Sequence, residues 1–540
     1  MPPSQISEHA ASRLASRIWA RDPAAFVGPH PDPAVAEAIG NRLGWLEAPA
    51  VMPTRAAEIE QFRTEAAEDG LTDVYLLGMG GSSLCAEVLR DTLGIAGYPS
   101  RLTVLDTTDE RAVRAAAESL VPERALFLVA SKSGSTVEVT SLERYFRAAI
   151  GGRIAAPGRH FAAITDPGTE LVAHAASQGY RHTFVNPADI GGRYSALSLF
   201  GLVPAALIGI SEGTLLSPAQ EMAALCGEDS VSNPGLQLGV FIGSHAAAGR
   251  DKLTVLASRS MGSLGAWIEQ LVAESTGKLG RGVLPVVGEP AGAPSDYASD
   301  RAFVVMHTGA DEELTRLADG LETAGHPVFR IQTSPDLLGA EFFRWEFATA
   351  VAGAVLGLNP FDEPDVRSAK ARTQAQLEAF GTQGGFRLDP PLEAAPLYQM
   401  RTHEGSGARP GAPGSYLAIL DYLPADPTRA AAIDRLRSSL RSRLGVATTY
   451  GIGPRYLHST GQYHKGGPNT GVFVLLTADD ETETDVPGAG YTFSTLKRAQ
   501  ALGDFDALIE RDRTVLHCHF ESASADVLTR LEHALSTLVP

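Results

Sequence analysis

Cysteine is scarce in this sequence: Cys85, Cys226 and Cys518 are the three among 540 residues. An odd, sparse set excludes a disulfide scaffold and fits a reduced, cytoplasmic compartment. Zinc-ligand spacing is absent too. His517-Cys518-His519 alternates along an expected strand, which splits its side chains between two faces. No metal and no cofactor are expected. Apolar runs are too short to span a bilayer. The stretch Met1 to Phe26 mixes Arg, Glu and Asp with Ala and lacks the apolar core of a signal peptide. Positive charge is in deficit, with 45 Lys plus Arg against 63 Asp plus Glu and a net charge of −18. That balance disfavours nucleic acid and anionic membrane as partners. An anionic substrate remains open to it if a local site supplies the donors. Lysine is the rarest basic residue: Lys132, Lys252, Lys278, Lys370, Lys465 and Lys497 are all there are. Four of these six fall in the motifs described below, where a compact charge on a flexible stem has a use that Arg does not replace.

What is present is ample core. Hydrophobic residues make up 44% and charged residues 20%, and the length implies about three compact units. Residues 1–70 read as a mainly helical segment with Pro-rich interruptions. From 71 to 215, apolar strands at 74–78, 125–130, 161–165 and 183–185 alternate with helices near 83–93, 136–150 and 195–209. From 216 to 378, strands start at Leu253 and lie near 302–307 and 327–332, with helices near 261–274, 311–323 and 338–356. Alternation of this kind predicts parallel sheets covered by helices on both faces, an α/β fold. The stretch 379–413, rich in Gly, Pro and polar residues, reads as a linker or mobile loop. A third α/β unit follows from 414 to 540. Pro327 to Gln332 with a helix to Val351 resembles Thr514 to His519 with a helix to Leu538. Two readings of that likeness stay open, a partial duplication of the second lobe and the shared look of any two strand–helix units.

Two loops have the chemistry of an anion cradle. Gly78-Met79-Gly80-Gly81-Ser82-Ser83 joins a strand to a helix, where glycines let backbone N–H groups turn toward an anion and the helix start adds its dipole. It is neither a dinucleotide fingerprint nor a Walker loop, since no Gly-Lys-Ser/Thr follows. Ser131-Lys132-Ser133-Gly134-Ser135-Thr136 packs four hydroxyls and an ammonium into another strand-to-helix turn. One hydroxyl suffices for a helix cap, so the excess points to a monophosphate. Gly80, Gly81, Ser82, Ser131, Lys132, Ser133 and Thr136 are the expected phosphate ligands.

These loops resemble the phosphate loops of sugar-isomerase (SIS) domains. A larger set of motifs over roughly residues 40–470 resembles the phosphoglucose isomerase family. Asn41-Arg-Leu-Gly-Trp-Leu-Glu-Ala-Pro49 is similar to a segment of some bacterial members, and the likeness is greatest to the isomerase half of bifunctional transaldolase/phosphoglucose isomerases. About 70 residues precede the first lobe where a barrel needs about 250, so no transaldolase half is expected. The resemblance implies a metal-independent aldose–ketose isomerase acting on glucose 6-phosphate through a cis-enediol. Gln270…Glu274-Ser-Thr-Gly277-Lys278 is similar to the family's catalytic segment, which makes Glu274 the base and Gln270 a substrate contact. Gly191-Gly192-Arg193-Tyr194-Ser195 matches the segment whose Arg stabilises the enediolate. Asn359-Pro360-Phe361-Asp362-Glu363 through Lys370 matches the one whose Lys assists ring opening, with Glu363 where the family commonly has Gln.

The family's ring-opening His lies between the Glu and Lys motifs and comes from the neighbouring subunit. Here Gly288-Glu289-Pro290 starts like that segment and departs from it. A matching segment, His458-Ser-Thr-Gly-Gln462-Tyr463-His464-Lys465-Gly-Gly, occurs after Lys370 instead. The C-terminal unit is therefore expected to supply His458, whose imidazole suits proton transfer near neutrality. A homodimer follows from the resemblance; a monomer follows if His458 arrives from the same chain. The other functions in view are a dual phosphoglucose/phosphomannose isomerase and a non-catalytic sugar-phosphate sensor. The sensor needs the cradle but not Glu274, Arg193 and Lys370 together, and no helix-turn-helix signal or basic patch accompanies it.

Overall fold

The computed structural model describes residues 13–95, 101–309, 311–388, 390–394, 399–426, 428–522 and 527. The first sheet contains β1 (Asp73–Gly78), β2 (Arg101–Leu105), β3 (Ala125–Ala130), β4 (Phe161–Thr165) and β5 (His182–Val185). All pairs are parallel, in the order β2-β1-β3-β4-β5. Val74, Leu76, Leu126 and Leu128 face one apolar core, whereas Tyr75, Leu77, Phe127 and Val129 face another. Strands buried on both faces need apolar residues at every position, which is why they read as unbroken runs. The second sheet contains β6 (Lys252–Ala257), β7 (Leu284–Val286), β8 (Arg301–Thr308) and β9 (Val328–Thr333), parallel in the order β7-β6-β8-β9. One continuous core joins these two lobes, with the buried helix Leu338–Leu356 at its centre.

The stretch 379–413 departs from the expected linker. The helix carrying Lys370 runs from Pro364 to Gln383, and β10 (Glu393–Ala394) and β11 (Gln399–His403) extend the third sheet. An antiparallel edge strand tolerates polar residues, so its composition looked like loop. The third sheet continues through β12 (Tyr416–Tyr422), β13 (Ala447–Ile452), β14 (Gly471–Ala478) and β15 (Thr514–Phe520), in the order β10-β11-β15-β14-β12-β13. Its parallel part, β13-β12-β14-β15, repeats the β7-β6-β8-β9 order of the second sheet. β9 and β15 hold the same place in the two sheets. The helix expected to run on to Leu538 lies outside the described residues.

The third unit is not a separate bead. Ala273, Leu284 and Val286 of the second lobe share a core with Tyr416, Leu420, Tyr456 and Tyr463 of the third. A Cβ on Gly277 would sit 2.4 Å from the Cα of Tyr463, so that glycine sets how closely the third unit approaches the end of the Glu274 helix. Among the described residues, no helix is long and apolar enough to cross a membrane.

Candidate active site

The carboxyl ends of β1 and β3 open onto a cleft of about 510 Å³. This is the switch point of the first sheet, where neighbouring strands send their chains in opposite directions and leave a crevice. Gly81, Ser82, Lys132, Ser133, Thr136, Arg193, Gln270, Glu274, Lys370 and His458 all line it. They come from six separate stretches of sequence. Gly80 and Ser131, expected as phosphate ligands, do not line it. Gly80 lies behind the cradle with φ +55°, and a Cβ there would meet Gln270 Nε2 at 2.6 Å and the His458 carbonyl at 2.8 Å. Buried Ser131 braces its own loop, pairing with the Thr136 hydroxyl at 3.0 Å and accepting the Gly134 N–H at 3.1 Å. Lys132 reaches across to form an ion pair with Asp166, whose carboxyl burial raises and Lys132 lowers, with a net rise.

Glu274 occupies the last turn of the helix Leu264–Thr276, which continues past it and ends at Gly277. Gln270, one turn earlier, donates to its Oε2 at 3.2 Å. Arg193 is buried, with four of its five N–H donors engaged. Its Nε donates to Ser275 Oγ at 2.8 Å, Nη1 to Glu363 at 3.0 Å, and Nη2 to the Pro360 and Asp362 carbonyls at 2.8 and 3.0 Å. Its Nη1 lies 3.7 Å from Glu274, so Glu363 takes the tighter pairing. Burial therefore raises the Glu274 carboxyl, which Arg193 only partly offsets and the nearby Glu363 charge reinforces. Glu363 goes the other way: burial raises it, but Arg193 outweighs that and holds it low. A carboxylate lifted above its usual range is better matched to proton transfer at neutral pH.

Two further groups fix this arrangement. Lys278 donates to the Asn359 and Asp362 carbonyls at 2.7 and 2.6 Å, tying down the loop that also receives Arg193. Burial, with help from Arg193, brings its ammonium down to about 8. The segment Asn41 to Pro49 supports the Arg193 turn from behind: Leu43 bridges Ile190, and Trp45 stacks on Tyr194 with ring centroids 5.2 Å apart.

His458 enters from the third unit, at the end of the short helical turn Arg455–His458 after β13. Its Nε2 is 2.9 Å from Glu138 Oε1, and its carbonyl accepts the Gln270 amide at 2.8 Å. Glu138 is buried and also accepts Gln500 Nε2 at 2.7 Å. Burial raises the Glu138 carboxyl, but the His458 charge and hydrogen bond more than reverse this. Sequence reasoning missed Glu138 and Gln500. A Glu in the first turn of a helix is ordinary complement to the helix dipole, and Gln500 comes from a helix 362 residues further along the chain. Arg455, in the same turn as His458, pairs with Glu87 and Asp106 of the first lobe. Asp106 in turn accepts the Ser83 hydroxyl at 3.2 Å, so the His458 turn and the cradle share an anchor. Among the described residues no cluster of three or more His, Cys, Asp or Glu side chains is placed to hold a metal ion.

The fold and the cleft define a two-lobed α/β protein with parallel sheets, extended by a third α/β unit. Residues 57–282 match the phosphoglucose isomerase family model. A glucose-6-phosphate isomerase of Rubrobacter xylanophilus is 28% identical over 404 residues, 64% of this chain and 92% of that protein. One from Campylobacter jejuni is 34% identical over 212 residues, 38% of this chain and half of that protein. Among solved structures, a hypothetical protein from Thermus thermophilus superposes with a TM-score of 0.61 at 23% identity, covering 69% of this chain and 97% of that one. A glucose-6-phosphate isomerase from Chlamydia trachomatis gives 0.54 at 20% identity, covering 68% and 78%.

Proposed function

We propose that the protein is a glucose-6-phosphate isomerase that interconverts glucose 6-phosphate and fructose 6-phosphate with its own side chains. The observation that carries this reading is the convergence on one cleft of a phosphate cradle, a carboxylate, a buried guanidinium and a His–Glu pair. The phosphate rests on Gly81, Ser82, Lys132, Ser133 and Thr136, and Gln270 contacts the sugar. His458, oriented by Glu138, protonates the ring oxygen as the anomeric hydroxyl gives up its proton, with Lys370 assisting; the open-chain aldehyde results. Glu274 then takes the C2 proton while O1 gains one, which gives the cis-enediol. Arg193 stabilises negative charge on its oxygens. Return of the proton to C1 with loss of the O2 proton gives the ketose, and the sequence balances without a redox partner.

Three finer points belong to the same reading. The Asn41–Pro49 segment, packed behind Arg193, supports a place beside the isomerase half of transaldolase/phosphoglucose isomerases. Three buried, unpaired cysteines support the cytoplasm as its compartment. His458 and Glu274 line one cleft within one chain, which supports an active monomer. Glu274→Gln is the direct test. It should lower kcat about 10²- to 10⁴-fold, the range of a general base, and leave glucose 6-phosphate binding by calorimetry intact. Turnover within a few-fold of wild type overturns the assignment. Mannose 6-phosphate in the same assay distinguishes the dual-specificity isomerase.

A further inference from the structure

The third sheet has its own switch point. Its parallel strands run β13-β12-β14-β15, so the crevice falls between the carboxyl ends of β12 and β14. In the first sheet the corresponding crevice, between β1 and β3, holds the phosphate cradle. The third sheet has a cavity of about 290 Å³ at this place, lined by Tyr422 at the end of β12 and by Thr477 and Ala478 at the end of β14. The chemistry that follows the strands is inverted. Where β3 leads into Ser131-Lys132-Ser133, β14 leads into Asp479-Asp480. A phosphate would meet carboxylates here, so this crevice is not a second anion cradle.

Asp479 and Asp480 do not make a cation site either, because each has a cation beside it, and the third lining carboxylate, Glu483, is exposed. Lys497 donates to Asp480 at 2.6 Å and to Asp109 at 2.9 Å. Arg498 lies 3.8 Å from Asp479 and donates to His519 Nδ1 at 2.9 Å. The buried Nε–H of Arg498 has no acceptor among the described residues. Phe380 and Phe386, with ring centroids 4.8 Å apart, form an apolar side to the same cavity. Carboxylates with cations beside them that accept, a guanidinium that donates and an aromatic flank match a ligand with adjacent hydroxyls and no net charge.

We propose that this crevice binds a neutral polyhydroxy ligand of monosaccharide size, and that its occupancy bears on the ring-opening pair of the isomerase site. The second half rests on the glucose-6-phosphate isomerase reading; the first does not. The path is short. Lys497 and Arg498 line the crevice from the helix Phe493–Glu510, and Gln500, one turn on, holds Glu138 beneath His458. Phe380 sits on the helix Pro364–Gln383 that carries Lys370.

The test uses the full chain and D-glucose as probe, with the isomerase cleft filled by an excess of equilibrated glucose 6-phosphate and fructose 6-phosphate. Saturation-transfer NMR should show glucose binding that the sugar phosphates do not displace. Asp479→Ala, at a side chain 67% exposed and so safe for folding, should weaken it at least tenfold. Ala478→Trp should abolish it by filling the cavity. No transfer to glucose once the cleft is filled overturns the proposal, as does transfer that both variants leave unchanged. Inorganic phosphate binding that Asp479→Ala strengthens in place of glucose would refute the charge argument. For the second half, saturating glucose should change kcat at least twofold in the wild type and not in Ala478→Trp; binding with kcat unchanged overturns the coupling alone. An enzyme that binds glucose here but does not isomerise glucose 6-phosphate overturns the functional reading and leaves the binding site standing.

Discussion

Glu138 shows how much one side chain can matter without touching substrate carbon. It sits at the first turn after the Ser131–Thr136 loop and receives His458 from the third unit at 2.9 Å. A buried carboxylate there is costly unless it is paired, and the pairing fixes which His458 nitrogen faces it. Glu138→Gln keeps the shape and removes the charge. Its expected effect is a loss of about 10- to 100-fold in kcat/KM for glucose 6-phosphate, below the 10²- to 10⁴-fold of an acid–base group itself. The loss belongs to ring opening, so a tetrose 4-phosphate, which cannot close such a ring, is the control substrate. Proton exchange at C2 of the tetrose should be affected far less. Equal losses on both substrates would assign Glu138 to the general architecture of the cleft instead of to ring opening.

At the scale of elements, the cradle and the Arg193 turn are locked backbone to backbone. A Cβ on Gly81 would lie 2.0 Å from the Gly192 carbonyl oxygen, so two glycine turns from separate segments touch where no side chain fits. Gly81→Ala must push them apart, and a displacement of about 1 Å at reacting groups can cost about 10²-fold. Steady-state assay should show that fall in kcat/KM with the far-ultraviolet circular dichroism unchanged; full activity would mean the turns are free to separate. Both turns were legible in the sequence, because glycine runs between a strand and a helix have few other uses. So were β1, β3 and β4, which are apolar apart from Asp73 and Gly78 at the ends of β1 and Thr165 at the end of β4. β2, half-exposed at the sheet edge, and the three-residue β7 were not, since neither gives a long enough pattern to detect. β11 was read as linker for the same reason. Glu138 and Gln500 could not be read at all: their partnership exists only once the third unit is docked.

That docking is what defines the whole molecule. The segment Gly288-Glu289-Pro290, at the place in the chain where the family resemblance puts the histidine, holds the third unit instead. Glu289 receives Arg301 at 3.0 and 2.9 Å and the Thr448 backbone and hydroxyl at 2.9 and 2.8 Å. Arg437 of the third unit donates to the Gly288 carbonyl at 2.7 Å. Gln462, four residues past His458, donates to the Gly277 carbonyl at 2.9 Å, at the end of the Glu274 helix. The chain thereby brings its own His458 to the cleft that Glu274 lines. Two inactive variants test this without assuming an oligomeric state. His458→Ala and Glu274→Gln, purified separately and mixed after mild unfolding and refolding together, should stay inactive if each cleft is built from one chain. If clefts were shared across a two-fold dimer, half of the randomly formed dimers would pair the variants and restore one of two sites, about a quarter of wild-type activity. Sedimentation of the wild type at assay concentration should give a single species of 56.9 kDa, with specific activity constant on dilution. Activity that falls as a dimer dissociates, or that returns on mixing, would place the histidine in its partner's cleft.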